Sequence, residues 1–460
     1  MVVANPLVVF LTGLVAVIGL MVWLDVPAFP ALIVSTFIVG IATTQVPLSD
    51  VLAETAAAFG DTLVGIGIPI LMAAIIGKTM MESGAGERII RFFRGITGED
   101  KSYFALWGSS GVMVISVFLD NVFFLLAPLA RSMRVRTERD YALFITAVCG
   151  AGAVTHSFIP PTPGPLAASI ELGVDVGLMI LVGLVVGIPT AIASGVIYAN
   201  FLNRHLDIPL HETMGTATEE MQKMADRPKS ELPGLFEAFL PIILAVVLIA
   251  SETTINALID SGAIDGRGAV ETLSAFFGDA NFALTAAAAT ASAITYLRIR
   301  SLSRDVWSDE FVEALHSGGH IAAITGGGGA FGAMLGQYGV GEYVATFLDS
   351  VGLPLLLAGF VIAAAMRIAQ GSATVAILTG AGIMATVVPD LGIHPVYLAL
   401  AIGAGGATFS WQNNSGFWVI KEIGGLTQLE TVKIYTVLTT INSVIGFVLI
   451  LILSTLFPLT

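Results

Sequence analysis

The sequence predicts an all-α polytopic membrane protein built from two inverted-topology repeats, each of about five transmembrane helices plus one re-entrant hairpin. Three observations lead there. Of 460 residues, 55% are hydrophobic and only 12% charged, whereas soluble domains carry roughly a quarter charged residues. Apolar segments repeatedly reach the ~20 residues that span a bilayer. The few charges are sorted by loop, basic in one set and acidic in the other, which gives each crossing a direction.

Composition excludes several other classes. A net charge of −14 leaves no basic footprint for a nucleic-acid partner. The single cysteine, Cys149, has no partner for an intrachain disulfide and reads as a small packing residue. No catalytic triad, metal-ligand cluster or phosphate loop stands out, so neither an enzyme nor a cofactor is expected. His205, His211, His316 and His320 fall in or near cytoplasmic loops without a ligand spacing. The run Gly327-Gly328-Gly329-Ala330-Phe331-Gly332 has the letters of a dinucleotide loop, but no βαβ unit surrounds it. Gly328, Gly332 and Gly336 instead form a small-xxx-small stripe that lets two helices approach closely.

Taken in order, the apolar run at 7–24 lacks a basic leader and a small-residue cleavage site, so it reads as a first spanning helix. Further spans are expected near 30–46, 62–81, 140–172, 177–203, 234–251, 280–297, 319–336, 396–421 and 434–456. Basic residues cluster at Arg88, Arg91, Arg94 and Lys101, at Arg131, Arg134, Arg136 and Arg139, at Arg298, Arg300 and Arg304, and at Lys421 and Lys433. The positive-inside rule puts these loops in the cytoplasm. The acidic stretches 50–61, 171–175, 252–279 and 342–349, with Asp390, then lie outside, together with both termini. The expected location is the plasma (inner) membrane.

The segment 103–130 is apolar and long enough to cross, yet basic at both flanks, so it must enter and return. Its turn falls at Asp120-Asn121. The segment 353–385 is the mirror case, acidic at both flanks with Gln370-Gly371-Ser372 at its centre. Two hairpins opening to opposite sides are the mark of inverted repeats. The resulting organisation is an N-terminal repeat 1–203 with hairpin 103–133 and broken helix 140–172, a cytoplasmic linker 204–233, and a C-terminal repeat 234–460 with hairpin 353–385 and broken helix 396–421. Residues recur accordingly. Ser83-Gly84-Ala85-Gly86-Glu87 matches Tyr338-Gly339-Val340-Gly341-Glu342, and Gly150-Ala151-Gly152-Ala153 matches Gly403-Ala404-Gly405-Gly406, both at a spacing of roughly 250 residues.

Non-helical backbone at membrane depth must line a cavity or be buried in protein. Besides the two hairpin centres, such breaks are expected over 155–165, where Pro160, Pro161, Pro163 and Pro165 cannot continue a helix, and over 410–416. Each leaves half-helix N-termini whose exposed N–H groups favour anions such as carboxylates. An Asp at the centre of a spanning segment costs ~2.5–3.5 kcal/mol on insertion scales, which singles out Asp120 as a coupling residue or, with Asn121 beside it, as a structural cap on the second arm of the hairpin. His156 is a proton relay, a substrate hydrogen-bond donor, or a satisfied histidine at a helix end. Arg367 pairs with a substrate carboxylate, stabilises hairpin carbonyls, or meets Asp120 across the site.

These segments resemble the gluconate permease (GntP) family. The first-half signature is Phe118-Leu119-Asp120, then Thr155-His156 with Pro160-Pro161-Thr162-Pro163-Gly164-Pro165. The second-half signature is Arg367-Ile368-Ala369-Gln370-Gly371-Ser372-Ala373-Thr374-Val375-Ala376 and Asn414-Ser415-Gly416-Phe417-Trp418 with Lys421-Glu422. Where that family commonly carries Asn-Asp-Ser-Gly, this chain has Asn413-Asn414-Ser415-Gly416, and it has Thr162 where a histidine is common. The resemblance implies a secondary transporter of the ion-transporter superfamily, a homodimer importing gluconate or a related small hydroxy-carboxylate with protons. Substrate contacts are then expected from Thr155, His156, Ser157, Thr162, Gly164, Arg367, Gln370, Gly371, Ser372, Thr374, Asn413, Asn414 and Ser415. Proton or cation coupling is expected from Asp120, Asn121 and His156. A sodium-coupled carboxylate transporter is the alternative, since neutral oxygens at hairpin tips also suit Na⁺, and a passive channel is a further one.

Overall fold

The computed structural model describes residues 6–459 apart from 25, 43–46, 99–100, 210–227, 229–230, 261–263, 265–267, 299–303, 338–353, 391 and 413. Its described residues are helical, with turns and short breaks between helices. The first part of the chain forms α1 (Pro6–Trp23), α2 (Ala28–Ala42), α3 (Val51–Glu82), α4 (Ala85–Thr97), α5 (Ser102–Met113), α6 (Leu119–Thr137), α7 (Tyr141–Phe158) and α8 (Pro163–Glu171). Helix α9 (Val176–His205) follows and contains a π-helical turn at Ala193–Tyr198. The second part forms α10 (Leu235–Asp260), α11 (Ala269–Gly278), α12 (Ala280–Arg298), α13 (Arg304–Gly336), α14 (Leu355–Gln370), α15 (Ala373–Met384), α16 (Pro395–Ala407) and α17 (Ser415–Gly424). The last helix, α18 (Gln428–Leu456), carries a second π-helical stretch at Val432–Thr436.

Among the described residues, five stretches are long and apolar enough to cross a membrane: Tyr141–Glu171, Val176–His205, Leu235–Asn256, Ala280–Leu297 and Gln428–Leu456. Helix α3 joins them if its two limbs, Val51–Gly65 and Gly67–Glu82, are taken together across a 51° bend. The bend has a local cause. Pro69 lies inside the helix, and a proline ring displaces the carbonyl four residues earlier, here that of Gly65.

Several expected boundaries move. The acidic stretch 50–61, read as a loop, forms the first turns of α3, where carboxylates sit favourably near the positive end of a helix. Part of the acidic stretch 252–279 is likewise helical, as the end of α10 and as α11. The basic residues Arg88, Arg91 and Arg94 lie on α4, whose apolar face is buried through Ile89 and Ile90. The span read at 319–336 is the second half of the 33-residue α13, while within 396–421, read as a broken helix, α16 ends at Ala407 and α17 begins at Ser415. Most of the linker 204–233 falls outside the described residues.

Packing places the breaks together. Helix α3 runs against α13, and α2 and α12 flank that pair. Helix α5 packs on α7 as α14 packs on α16. Helix α8 then lies on α15, and α17 on α6. Each interrupted helix therefore sends its second half to the far helix pair. The glycine stripe of α13 faces α15 at this crossing. A Cβ at Gly332 would stand 2.0 Å from the Gly382 carbonyl oxygen, and one at Gly328 would stand 3.4 Å from that of Leu378.

Candidate functional site

The first break follows α5, which ends at Met113, and Phe118 at φ −58°, ψ 142° resets the chain for α6. Asp120 thus occupies the first turn of α6, close to unsatisfied N–H groups. The tip packs tightly on α3, where a Cβ at Gly77 would lie 2.5 Å from the Ser116 carbonyl oxygen. The second break turns on Gly371, whose φ of 88° lies in the left-handed region that favours glycine. Ser372 then caps α15, its hydroxyl accepting from Val375 N at 3.3 Å.

Arg367 is 2% exposed and its two terminal nitrogens donate to the Gly371 carbonyl and to Ser410 Oγ. Tyr435 and Asp120 lie within its electrostatic reach. Asn414 ties the same region together from α17. Its Oδ1 accepts from Phe417 N at 3.1 Å, and its Nδ2 donates to the Gly371 oxygen at 2.8 Å. Arg367 thus holds the Gly371 carbonyl and shares a cavity wall with Asp120.

These groups surround a cavity of about 500 Å³, within the ~300–1,000 Å³ typical of small-ligand sites. Among the expected residues, Asp120, His156, Arg367, Ser372, Thr374 and Asn414 line it. His156 Nε2 and Thr374 Oγ1 approach to 3.4 Å across its wall. Gly416 lets the backbone of α17 come close to the acid, since a Cβ there would sit 2.9 Å from Asp120 Oδ1.

Other expected residues stand apart from it. Thr155, Ser157 and Thr162 are buried behind the cavity wall at 4%, 2% and 2% exposure. The Thr155 hydroxyl donates to the Gly111 carbonyl at 3.0 Å and that of Thr162 to Ile159 at 2.6 Å. Gly164 packs against Ile377 of α15. Asn121 lines a smaller neighbouring cavity of about 170 Å³, with Lys78 and Glu313, that shares Phe118 and Ser317 with the main one. Lys78 there bridges α3 to Glu310 and Glu313 of α13, both at 2.8 Å. Gln370 ends α14 and Ser415 begins α17, while Asn413 lies outside the described residues.

Three polar lining residues escape sequence reading: Ser317, His320 and Tyr435. Ser317, His320, Ile321 and Ile324 repeat at helical spacing on one face of α13. That periodicity is the signal, obscured by placing His320 near a loop. No group of three His, Cys, Asp or Glu among the described residues could hold a metal ion.

Residues 5–456 match the GntP family permease family. The chain is 30% identical to the high-affinity gluconate transporter of Escherichia coli (strain K12), over 98% of this chain and 99% of that protein. It is also 30% identical to the gluconate permease of Bacillus subtilis (strain 168), over the same shares. In fold it is similar to the Alcanivorax borkumensis YdaH transporter, with a TM-score of 0.64 across 96% of this chain and 99% of that one at 14% identity. With its long apolar helices and a match running almost end to end, the chain is a multi-pass membrane permease, a carrier and not an enzyme, and it belongs to the GntP family.

Proposed function

We propose that this permease imports gluconate or a related small sugar acid or hydroxy-carboxylate by proton symport across the plasma membrane. The observation that carries this reading is one cavity bounded by both the carboxylate of Asp120 and the buried guanidinium of Arg367, at the N-terminal ends of α6, α15 and α17. The names of the relatives support the substrate class. The cargo carboxylate sits against the N–H groups opening α15 and α17, with Ser372, Thr374 and Asn414 around it. Arg367, anchored to Gly371 and Ser410, supplies fixed positive charge. Asp120 takes up a proton before the loaded carrier crosses, because an ionised carboxylate inside hydrocarbon is costly.

In this reading 1–203 and 234–460 are inverted repeats joined by 204–233, with re-entrant hairpins at 103–133 and 353–385. The paired packing of α5 on α7 and of α14 on α16 supports it. The functional unit is a homodimer. The test is uptake into proteoliposomes under an imposed gradient. An inward proton gradient should drive accumulation of gluconate, and Asp120→Asn should abolish it. Accumulation driven by Na⁺ alone would favour the sodium-coupled reading, and an Asp120→Asn carrier that still concentrates gluconate would remove Asp120 from coupling.

A further inference from the structure

Ser317 and His320 of α13 enter the cavity from the wall contributed by the α3–α13 pair. We infer that they read the hydroxyl-bearing tail of the acid, and so set the carbon-chain length the carrier accepts. This rests on the sugar-acid reading above and assigns its specificity to a helix that carries none of the family-like segments.

Which hydroxyl-binding groups remain unspent decides the matter. Thr155 and Thr162 donate to backbone carbonyls. The two terminal nitrogens of Arg367 are committed to Gly371 and Ser410, and Asn414 to Gly371 and Phe417. His320 and Ser317 differ. Both side chains are exposed, both line the cavity, and neither makes a hydrogen bond or ion pair recorded among the described residues. They lie one turn apart on the same helix face, next to apolar Ile321 and Ile324. That combination of spare donors and acceptors beside hydrocarbon suits a polyol chain, whose C–H and O–H groups alternate. The charged end of the acid is held elsewhere, at the helix ends near Arg367.

The test is ligand binding to the purified full-length protein, with glycerate, erythronate, xylonate and gluconate as probes, aldonic acids of three to six carbons. Wild-type affinity should rise along the series. In His320→Ala, alone or with Ser317→Ala, the gain from three to six carbons should shrink by about three- to tenfold, the size of one net hydrogen bond. His320→Gln, which keeps a donor and an acceptor, should restore part of it. The melting temperature without ligand separates lost recognition from lost folding. A wild-type protein blind to all four acids would overturn the sugar-acid reading itself. A graded wild type with an equally graded His320→Ala variant would overturn only the placement of the tail, as would a wild type that binds all four equally.

Discussion

Asn414 Nδ2 donates to the Gly371 carbonyl oxygen at 2.8 Å, tying the break before α17 to the turn between α14 and α15. The same side chain caps α17 through Phe417 N. Asn414→Asp preserves the cap acceptor but places a carboxylate against a carbonyl oxygen, so the tie is lost at neutral pH. Lowering the pH protonates the acid and returns a donor. Uptake by Asn414→Asp relative to wild type should therefore be depressed at pH 7.5 and recover as pH falls. Asn414→Ala loses both contacts, about 1 kcal/mol for the cap alone, and should not recover. Initial rates measured for both variants across the same pH range decide this.

Arg367 divides its guanidinium between a carbonyl and a hydroxyl in a fixed fork. A lysine ammonium is a single point charge and cannot reproduce that geometry. Arg367→Lys should cost about 1.5–3 kcal/mol, the worth of one hydrogen bond to a charged group, and lower gluconate uptake at least tenfold. A drop in melting temperature accompanied by lost uptake fits. Unchanged uptake would show that one contact suffices.

The crossing of α13 on α15 leaves no room at Gly332. Gly332→Ala drives a methyl into the Gly382 carbonyl and should destabilise by about 1–3 kcal/mol, as overpacking does. Gly60 in α3 is the control, with nothing within 4 Å of an added Cβ. Alanine there favours the helix by up to about 1 kcal/mol, so Gly60→Ala should hold or raise the melting temperature.

His394 Nδ1 accepts from Val396 N at 3.1 Å and caps α16. Burial holds its imidazole below the ordinary histidine range, against an opposing pull from Asp175. The folded state thus binds the proton more weakly than the unfolded chain. This contribution is present above the unfolded pKa near 6.5 and is lost as pH falls through the lower folded value. Wild-type melting temperature should fall between pH 7 and pH 5. In His394→Asn, which keeps an acceptor without titrating, that fall should be smaller.

Sequence reading located the breaks because each puts polar or helix-breaking residues inside an apolar run. Asp120, Gly371 and the prolines at 160–165 all fall at or next to helix ends. It also read the glycine stripe of α13, since small side chains spaced by four leave one flat helix face. Thr155 and Thr162 show its limit. A hydroxyl beside a break serves a ligand or a carbonyl equally well on paper, and only the fold puts Gly111 and Ile159 within reach. Ser317 and His320 were hidden for another reason. The polar start of α13 has the composition of a loop, so nothing local reveals that its helical face turns inward.

The self-satisfied polar groups around the cavity bear on how an empty carrier behaves. Thr162, Asn414 and Ser410 keep partners within the protein, so departure of a cargo does not strand these dipoles in a low-dielectric interior. The vacated site keeps its shape, and rebinding incurs little ordering entropy. In the proposed carrier, the walls of the site need no reassembly between one cargo and the next.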